Sequence, residues 1–218
     1  MLIYKLAFVL GLTVLLAACG STSPNVRNND PVLHLQSESS IVVLGRRHIL
    51  RTKTERDYVS CVGESLSERS PQISVIPEQH FTDALYPFFE SSVAPLNEKN
   101  LGEMLKQAAI AEKLDELNVR YLVWIHGNTQ RIDESGGVSC AVGPGGGGCF
   151  GFATWEDEAI YEADVWELDK LSSSSTVVSQ VKGTSYMPAI IIPIPILARV
   201  QSSACEDLSR RIWHSMTF

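Results

Sequence analysis

The chain is short of several things that would have named its chemistry at once. Among its 218 residues there is no Cys-x-x-Cys pair, no His-Glu-x-x-His and no Gly-x-Ser-x-Gly. The common signatures of a zinc ribbon, a metalloprotease and a serine hydrolase are therefore missing. No apolar run reaches the roughly 20 residues needed to cross a bilayer as a helix. Positive charge is also scarce. The 18 Lys+Arg stand against 25 Asp+Glu, for a net charge of −7. That balance argues against a nucleic-acid partner, which needs a basic surface. Aromatic residues make up 8% and no internal repeat is visible, while a hydrophobic content of 44% is ordinary for a globular domain.

What is present begins at the amino terminus. Lys5 supplies one positive charge, Leu6 to Leu16 is apolar apart from Gly11 and Thr13, and Leu16-Ala17-Ala18-Cys19 follows. A charged start, a short apolar helix and small residues at the cut make a signal peptide over residues 1–18. The sequence Leu16-Ala17-Ala18-Cys19 resembles the lipobox of bacterial lipoproteins. The resemblance implies lipid on the Cys19 thiol, cleavage before it and acylation of the new amino group. Two or three acyl chains anchor stably where one does not. Gly20 rather than Asp follows the cysteine, and by analogy with enterobacterial sorting this suggests the outer membrane, with the domain facing the periplasm. The covalent lipid is the only cofactor expected. Removing residues 1–18 leaves 200 residues with 17 Lys+Arg and 25 Asp+Glu, a mature charge of −8.

Residues 19–40 read as a lipidated tether, rich in Ser, Asn, Pro and Asp. Residues 41–218 read as one periplasmic domain. Four cysteines remain after Cys19, an even number in an oxidising compartment, so two disulfides are expected. Of the three possible pairings, Cys140–Cys149 would clip a glycine-rich loop and Cys61–Cys205 would staple two helices. A four-cysteine zinc site is disfavoured by the spacing.

The periodicity predicts strands at Ile41-Val42-Val43-Leu44-Gly45 and at residues 73–76, and helices at residues 54–68, 78–86 and 101–117. Strands over residues 119–127, 158–168 and 176–186 form an antiparallel meander, and Ala204 to Trp213 forms a closing helix. On the strand at 158–168, Tyr161, Ala163 and Val165 share one face, and Glu162 and Asp164 the other. The plan is α+β: a mixed sheet with helices mainly on one face. This order resembles the curli-secretion lipoprotein and the lipoprotein activators of penicillin-binding proteins. The matching residues are Ile41 to Gly45, Tyr121-Leu122-Val123-Trp124, Ala163-Asp164-Val165-Trp166-Glu167-Leu168 and the terminal helix. The cysteine-bounded glycine loop and the proline-rich segment depart from that pattern. The resemblance implies the fold and a habit of binding a protein partner, and transfers no site residues.

Gly143, Gly145 and Gly148 spell G-x-G-x-x-G, but aromatic, strand-like residues follow where a dinucleotide site needs a helix. No nucleotide is expected, and a disulfide-closed hairpin loop is the better reading, with Phe150 and Phe152 beside it as candidate contacts. Met187 to Leu197 holds three prolines and cannot be a helix or a central strand. Packing over the core is its ordinary outcome, and the alternative is a docking patch made by Ile190, Ile192 and Ile194. Arg46 and Arg47 head a basic run, through Arg51, Lys53 and Arg56, that could meet anionic groups, although a solvated loop is the plainer reading. Glu156-Asp157-Glu158 reads as a solvated strand end. His34, His48, His80, His126 and His214 are scattered, so no catalytic and no metal residues are assigned. The function expected is a binding, assembly or regulatory subunit of the envelope, with an envelope-polymer hydrolase or a secretion-channel subunit as alternatives.

Overall fold

The structure is a computed structural model describing residues 21–22, 40–47, 54–69, 73–170 and 172–217. Cys19, the signal peptide, most of the tether, His34, His48, Arg51 and Lys53 lie outside the described residues. The strands are β1 (Ser21–Thr22), β2 (Ser40–Gly45), β3 (Ser74–Ile76), β4 (Val119–Gly143), β5 (Gly146–Glu167) and β6 (Ser172–Pro193). The helices are α1 (Arg56–Arg69), α2 (Glu78–Ala84), α3 (Glu98–Leu105), α4 (Ala108–Glu116) and α5 (Val200–Thr217). The sheet order is β1-β6-β5-β4-β2-β3. β2 runs parallel to both β3 and β4, and β1 runs antiparallel to β6. The mixed sheet, the meander and the closing helix are those of the expected α+β class.

The contacts gather into two compact units, where the sequence reading treated residues 41–218 as one. The larger unit comprises the described residues of 40–129, 159–180 and 201–217. Its central strand β2 is buried at every position, because it pairs on both edges and carries apolar side chains on both faces. Val42, Leu44, Leu122, Trp124 and Trp166 join Phe81 of α2, Leu101 and Leu105 of α3, and Ile110 and Leu114 of α4 in one apolar cluster. The alternate strand residues meet α1 and α5. Tyr161 stacks on Tyr58 of α1 at 3.5 Å between ring centroids, and the Tyr58 hydroxyl donates to the Ala204 carbonyl of α5 at 3.1 Å. At Gly45 a Cβ would come within 2.9 Å of the Val59 side chain, which fixes how closely α1 approaches β2. Of the helices described, α2, α3 and α4 pack on one face and α1 and α5 on the other. Strands that are apolar on both sides require cover on both.

One local expectation changes for a physical reason. Residues 101–117 do not form one helix, because Gln107 takes an extended backbone and caps a second one. The buried pairs Leu101/Leu105 and Ile110/Leu114 explain the break. Five residues separate Leu105 from Ile110, so an unbroken helix would turn Ile110 about 140° away from the first pair. The β5 face that the sequence gives to Glu162 and Asp164 is covered at Asp164. This residue is 1% exposed, because the side of β5 that carries it also carries Trp166, which packs beside Gly102 of α3.

Among the described residues, the smaller unit holds Gln130–Glu158 and Val181–Val200 together with Ser21–Thr22. Here β4 and β5 form a hairpin that reverses at Pro144 and Gly145. Gly136 and Gly151 have φ of 79° and 147°, and a Cβ on either would lie 2.2 Å from a carbonyl oxygen across the hairpin. Only glycine allows that approach. Glu156-Asp157-Glu158 falls inside β5 rather than at a solvated strand end. Asp157 pairs with Arg131 at 3.3 Å and the nearly buried Glu158 with Lys182 at 3.2 Å. Along β6, Val181, Gly183, Ser185 and Ala189 are buried, and the alternation then stops. Ile191 has φ of 83°, and the chain folds back so that Tyr186 and Ile196 exchange backbone hydrogen bonds of 2.9 and 2.7 Å. β1 pairs with Val181 and Lys182, and further along β6 the folded-back chain takes over, with the Ile194 N–H donating to the Pro188 carbonyl at 3.0 Å.

Candidate functional site

The most conspicuous surface belongs to the smaller unit. Val142 is 91% exposed, Phe150 78%, Ile190 77%, Ile191 68%, Ile192 67% and Ile194 62%. Phe152 and Leu197 are exposed as well, and the Phe152 ring lies 6.2 Å from that of Tyr186. Proximity between the two parts of this surface is visible at Gly148, where a Cβ would sit 3.7 Å from the Ile191 Cα. The segment around Ile190 therefore does not cover the core, as its apolar content suggested. Nor do its two sides differ, since Ile191 is as exposed as its neighbours. The positive φ at Ile191 and the fold-back to Ile196 break the alternation that an extended strand would have had.

Disulfides hold both units in the pairing favoured from the sequence. Cys140 is bonded to Cys149 across the hairpin, and Cys61 of α1 to Cys205 of α5. Ser135 to Phe152 contains no charged residue, and neither does Gly183 to Ala198. The apolar surface is thus built from charge-free sequence on a covalently clipped frame.

Arg46 and Arg47, taken from the sequence as possible partner contacts, are engaged inside the larger unit. The Arg46 guanidinium lies 4.6 Å over the Trp124 ring. Arg47 forms an ion pair with Glu78 and donates to the Thr54 carbonyl. Glu78 also accepts from the Gly45 N–H at 2.8 Å, so this arginine and glutamate tie β2 to α2. A cleft of about 810 Å³ opens beside them, lined by Arg47, Arg56, Ser60, Glu64, Glu78 and Asp83 among others.

A second polar group lies in the larger unit. His126 Nε2 is 3.6 Å from Glu162 Oε2, and its Nδ1 is 3.9 Å from Asp164 Oδ2. The other Asp164 oxygen accepts from the Thr176 hydroxyl at 2.9 Å. Asp164 Oδ2 and His126 Nδ1 are buried and have no hydrogen-bond partner among the described residues. Burial raises the Asp164 carboxyl to about 6, against the Thr176 hydrogen bond, with Glu98 and Glu162 adding to the rise. Burial, helped by the Arg46 charge, lowers the His126 imidazole below its ordinary value, with Glu162 opposing. The sequence reading missed this group. His126 reads as an ordinary strand-end histidine, and Glu162 and Asp164 simply as neighbours on the strand face opposite Tyr161. Their spacing of two on one strand was the available signal.

The Tyr58–Tyr161 stack extends into a third network. Glu55 accepts from the Thr129 N–H and from the Tyr161 hydroxyl, both at 2.9 Å. With its proton committed to Glu55, Tyr161 accepts from the Thr129 hydroxyl at 2.8 Å.

Fold and surface together define an α+β protein with an exposed apolar face built from two charge-free stretches of sequence. No protein-family model matches the chain, and no curated protein matches it in sequence. Among solved structures it is similar to two crystal forms of a PelC dodecamer from Paraburkholderia phytofirmans, one carrying a leucine-to-methionine substitution. The substituted form has 10% identity over 92% of this chain and 99% of that one, with a TM-score of 0.36. The other has 10% identity over 90% and 96%, with a TM-score of 0.35. Likeness at this level carries no conclusion about function.

Proposed function

We propose that the chain is a lipid-anchored protein of the bacterial cell envelope, held to the outer membrane through Cys19. It acts there, facing the periplasm, as a binding or assembly subunit that docks an envelope protein through the apolar surface of its smaller unit. The lipobox-like Leu16-Ala17-Ala18-Cys19 supports the anchor. The exposure of Ile190, Ile191, Ile192 and Ile194 carries the docking role. A contiguous run of large apolar side chains in water is unfavourable unless something covers it. The chemistry of the run favours a protein over a lipid surface as the cover. Segments that lie on anionic membranes bring Lys and Arg to the head groups, whereas residues 183–198 bring none. Aromatic and branched apolar anchors on a rigid frame are what protein interfaces bury at their centres.

The test is a set of single substitutions, Ile190→Asp, Ile192→Asp and Ile194→Asp, in the native host. Each should leave the melting temperature close to that of the unchanged protein, because exposed positions tolerate charge. Each should abolish co-purification of the envelope partner. A large fall in melting temperature would return the segment to the core and remove the docking role.

A further inference from the structure

We propose that His126, Glu162 and Asp164 form a binding site for a divalent zinc ion. One donor atom from each residue lies within 4.8 Å of the other two. Tetrahedral zinc with bonds of about 2.0–2.2 Å sets its donors roughly 3.4 Å apart. The 3.6 Å contact is made by Nε2 and the 3.9 Å contact by Nδ1, and one ion takes only one of these nitrogens. With Nδ1 as the donor beside Asp164, the Glu162 side chain must turn to bring its carboxylate onto the ion, from donor atoms that already lie within 4.8 Å of one another.

The independent indication is Asp164. Its side chain is 1% exposed, and Oδ2 points at the imidazole with no hydrogen-bond partner among the described residues. Buried polar atoms are normally satisfied, and an ionised oxygen more so than most. His126 Nδ1, also buried and without a partner, faces it. Two orphaned atoms that are both good metal donors, one imidazole and one carboxylate, are resolved together by a cation between them. The charge balance favours one. Glu98 and Glu162 add negative charge around Asp164, and Arg46 supplies the opposing positive charge. Three carboxylates thus stand against one guanidinium. The nitrogen donor selects zinc over magnesium or calcium, which take oxygen ligands. His126 and Glu162 are partly exposed, which gives the ion a way in and leaves a fourth position for water.

The full-length protein, purified in detergent and stripped with EDTA, is titrated calorimetrically with zinc chloride and separately with magnesium chloride. The expected result is one saturable zinc site per chain with no matching magnesium site. Asp164→Asn and His126→Gln should each weaken zinc binding by roughly tenfold or more. Glu162→Gln changes a partly exposed position and should weaken binding in a protein that folds, which serves if either buried variant does not. Absence of a one-site zinc isotherm, or zinc affinity unchanged in the folded variants, overturns the site. The second outcome would assign binding to histidines elsewhere, such as His80 or His214.

Discussion

Breaking the Cys61–Cys205 bond is the perturbation with the largest expected effect on the larger unit. The bond joins residues 144 apart, whereas Cys140–Cys149 joins residues 9 apart. In the chain-entropy model a ring of the first size is worth about 5 kcal/mol and one of the second size about 3 kcal/mol. Single domains have only about 5–15 kcal/mol in total, so losing the longer link leaves a marginal fold. Packing adds to the loss, because Cys205 is 1% exposed and its sulfur fills space between α1 and α5. What remains to hold those helices is the buried apolar contact and the Tyr58 hydrogen bond to Ala204. The assay is urea unfolding of the Cys61→Ala/Cys205→Ala variant, followed by fluorescence of the buried Trp124 and Trp166. With a slope of about 2 kcal/mol per M, the midpoint should fall by about 2.5 M. The slope itself should rise, because the unlinked unfolded chain is more expanded. The Cys140→Ala/Cys149→Ala variant opens a smaller ring in the other unit and should move this midpoint far less. A larger effect from the short ring, or no effect from the long one, would refute the reasoning.

Further predictions concern separate parts of the chain. Cys19→Ser should prevent incorporation of labelled fatty acid in the host, and unchanged labelling would end the lipoprotein reading. Gly127 has φ of 137°, and a Cβ there would lie 2.1 Å from the Ile160 carbonyl. Gly127→Ala should therefore cost several kcal/mol, on the order of 2–4 kcal/mol, in a denaturant titration. Burial pushes the Tyr161 hydroxyl up to about 12, against hydrogen bonds with Thr129 and Gln201, and pushes Tyr58 higher still. These phenols are raised in the fold, so their contribution is complete below the unfolded value of about 10 and is lost as pH climbs above it. Tyrosinate absorbance of both should rise together with alkaline unfolding, and a Tyr161→Phe variant should lose the Glu55 hydrogen bond and melt lower at neutral pH. Asp207 behaves oppositely. Burial opposes its ionisation, yet hydrogen bonds from Arg211 and Ser179 hold its carboxyl below the usual range. Its contribution is present above the unfolded value and lost as pH falls through the lower folded one. Asp207→Asn should accordingly flatten the acid limb of a melting-temperature profile.

The parts of the fold legible in the sequence are those where burial imposes a period. Ile41 to Gly45, the helix carrying Tyr58, Val62 and Leu66, and the terminal helix carrying Cys205 all follow from apolar spacing. Their faces also brought Cys61 and Cys205 within reach. The lengths of β4, β5 and β6 were not legible. Beyond residue 127 in β4, and before residue 158 in β5, many side chains are exposed on both sides, so no alternation marks them as strand. The exposed isoleucines were misjudged because composition reports apolarity and is silent on whether a cover exists. The burial of Asp164 was not legible, because period two tells which side a residue takes, and a second layer of helices on that side is a tertiary fact. The break at Gln107, by contrast, was readable in the five-residue step from Leu105 to Ile110.

The docking role is tested most directly by site-specific photo-crosslinking in living cells. A photoreactive residue placed at Ile192 should give one discrete adduct with an envelope protein, and the adduct should disappear when Ile190→Asp is added. The same residue placed at Lys99, an exposed position on α3, should give none. No adduct from Ile192, or the same adduct from both positions, would contradict the apolar surface of the smaller unit as the place where this protein meets its partner.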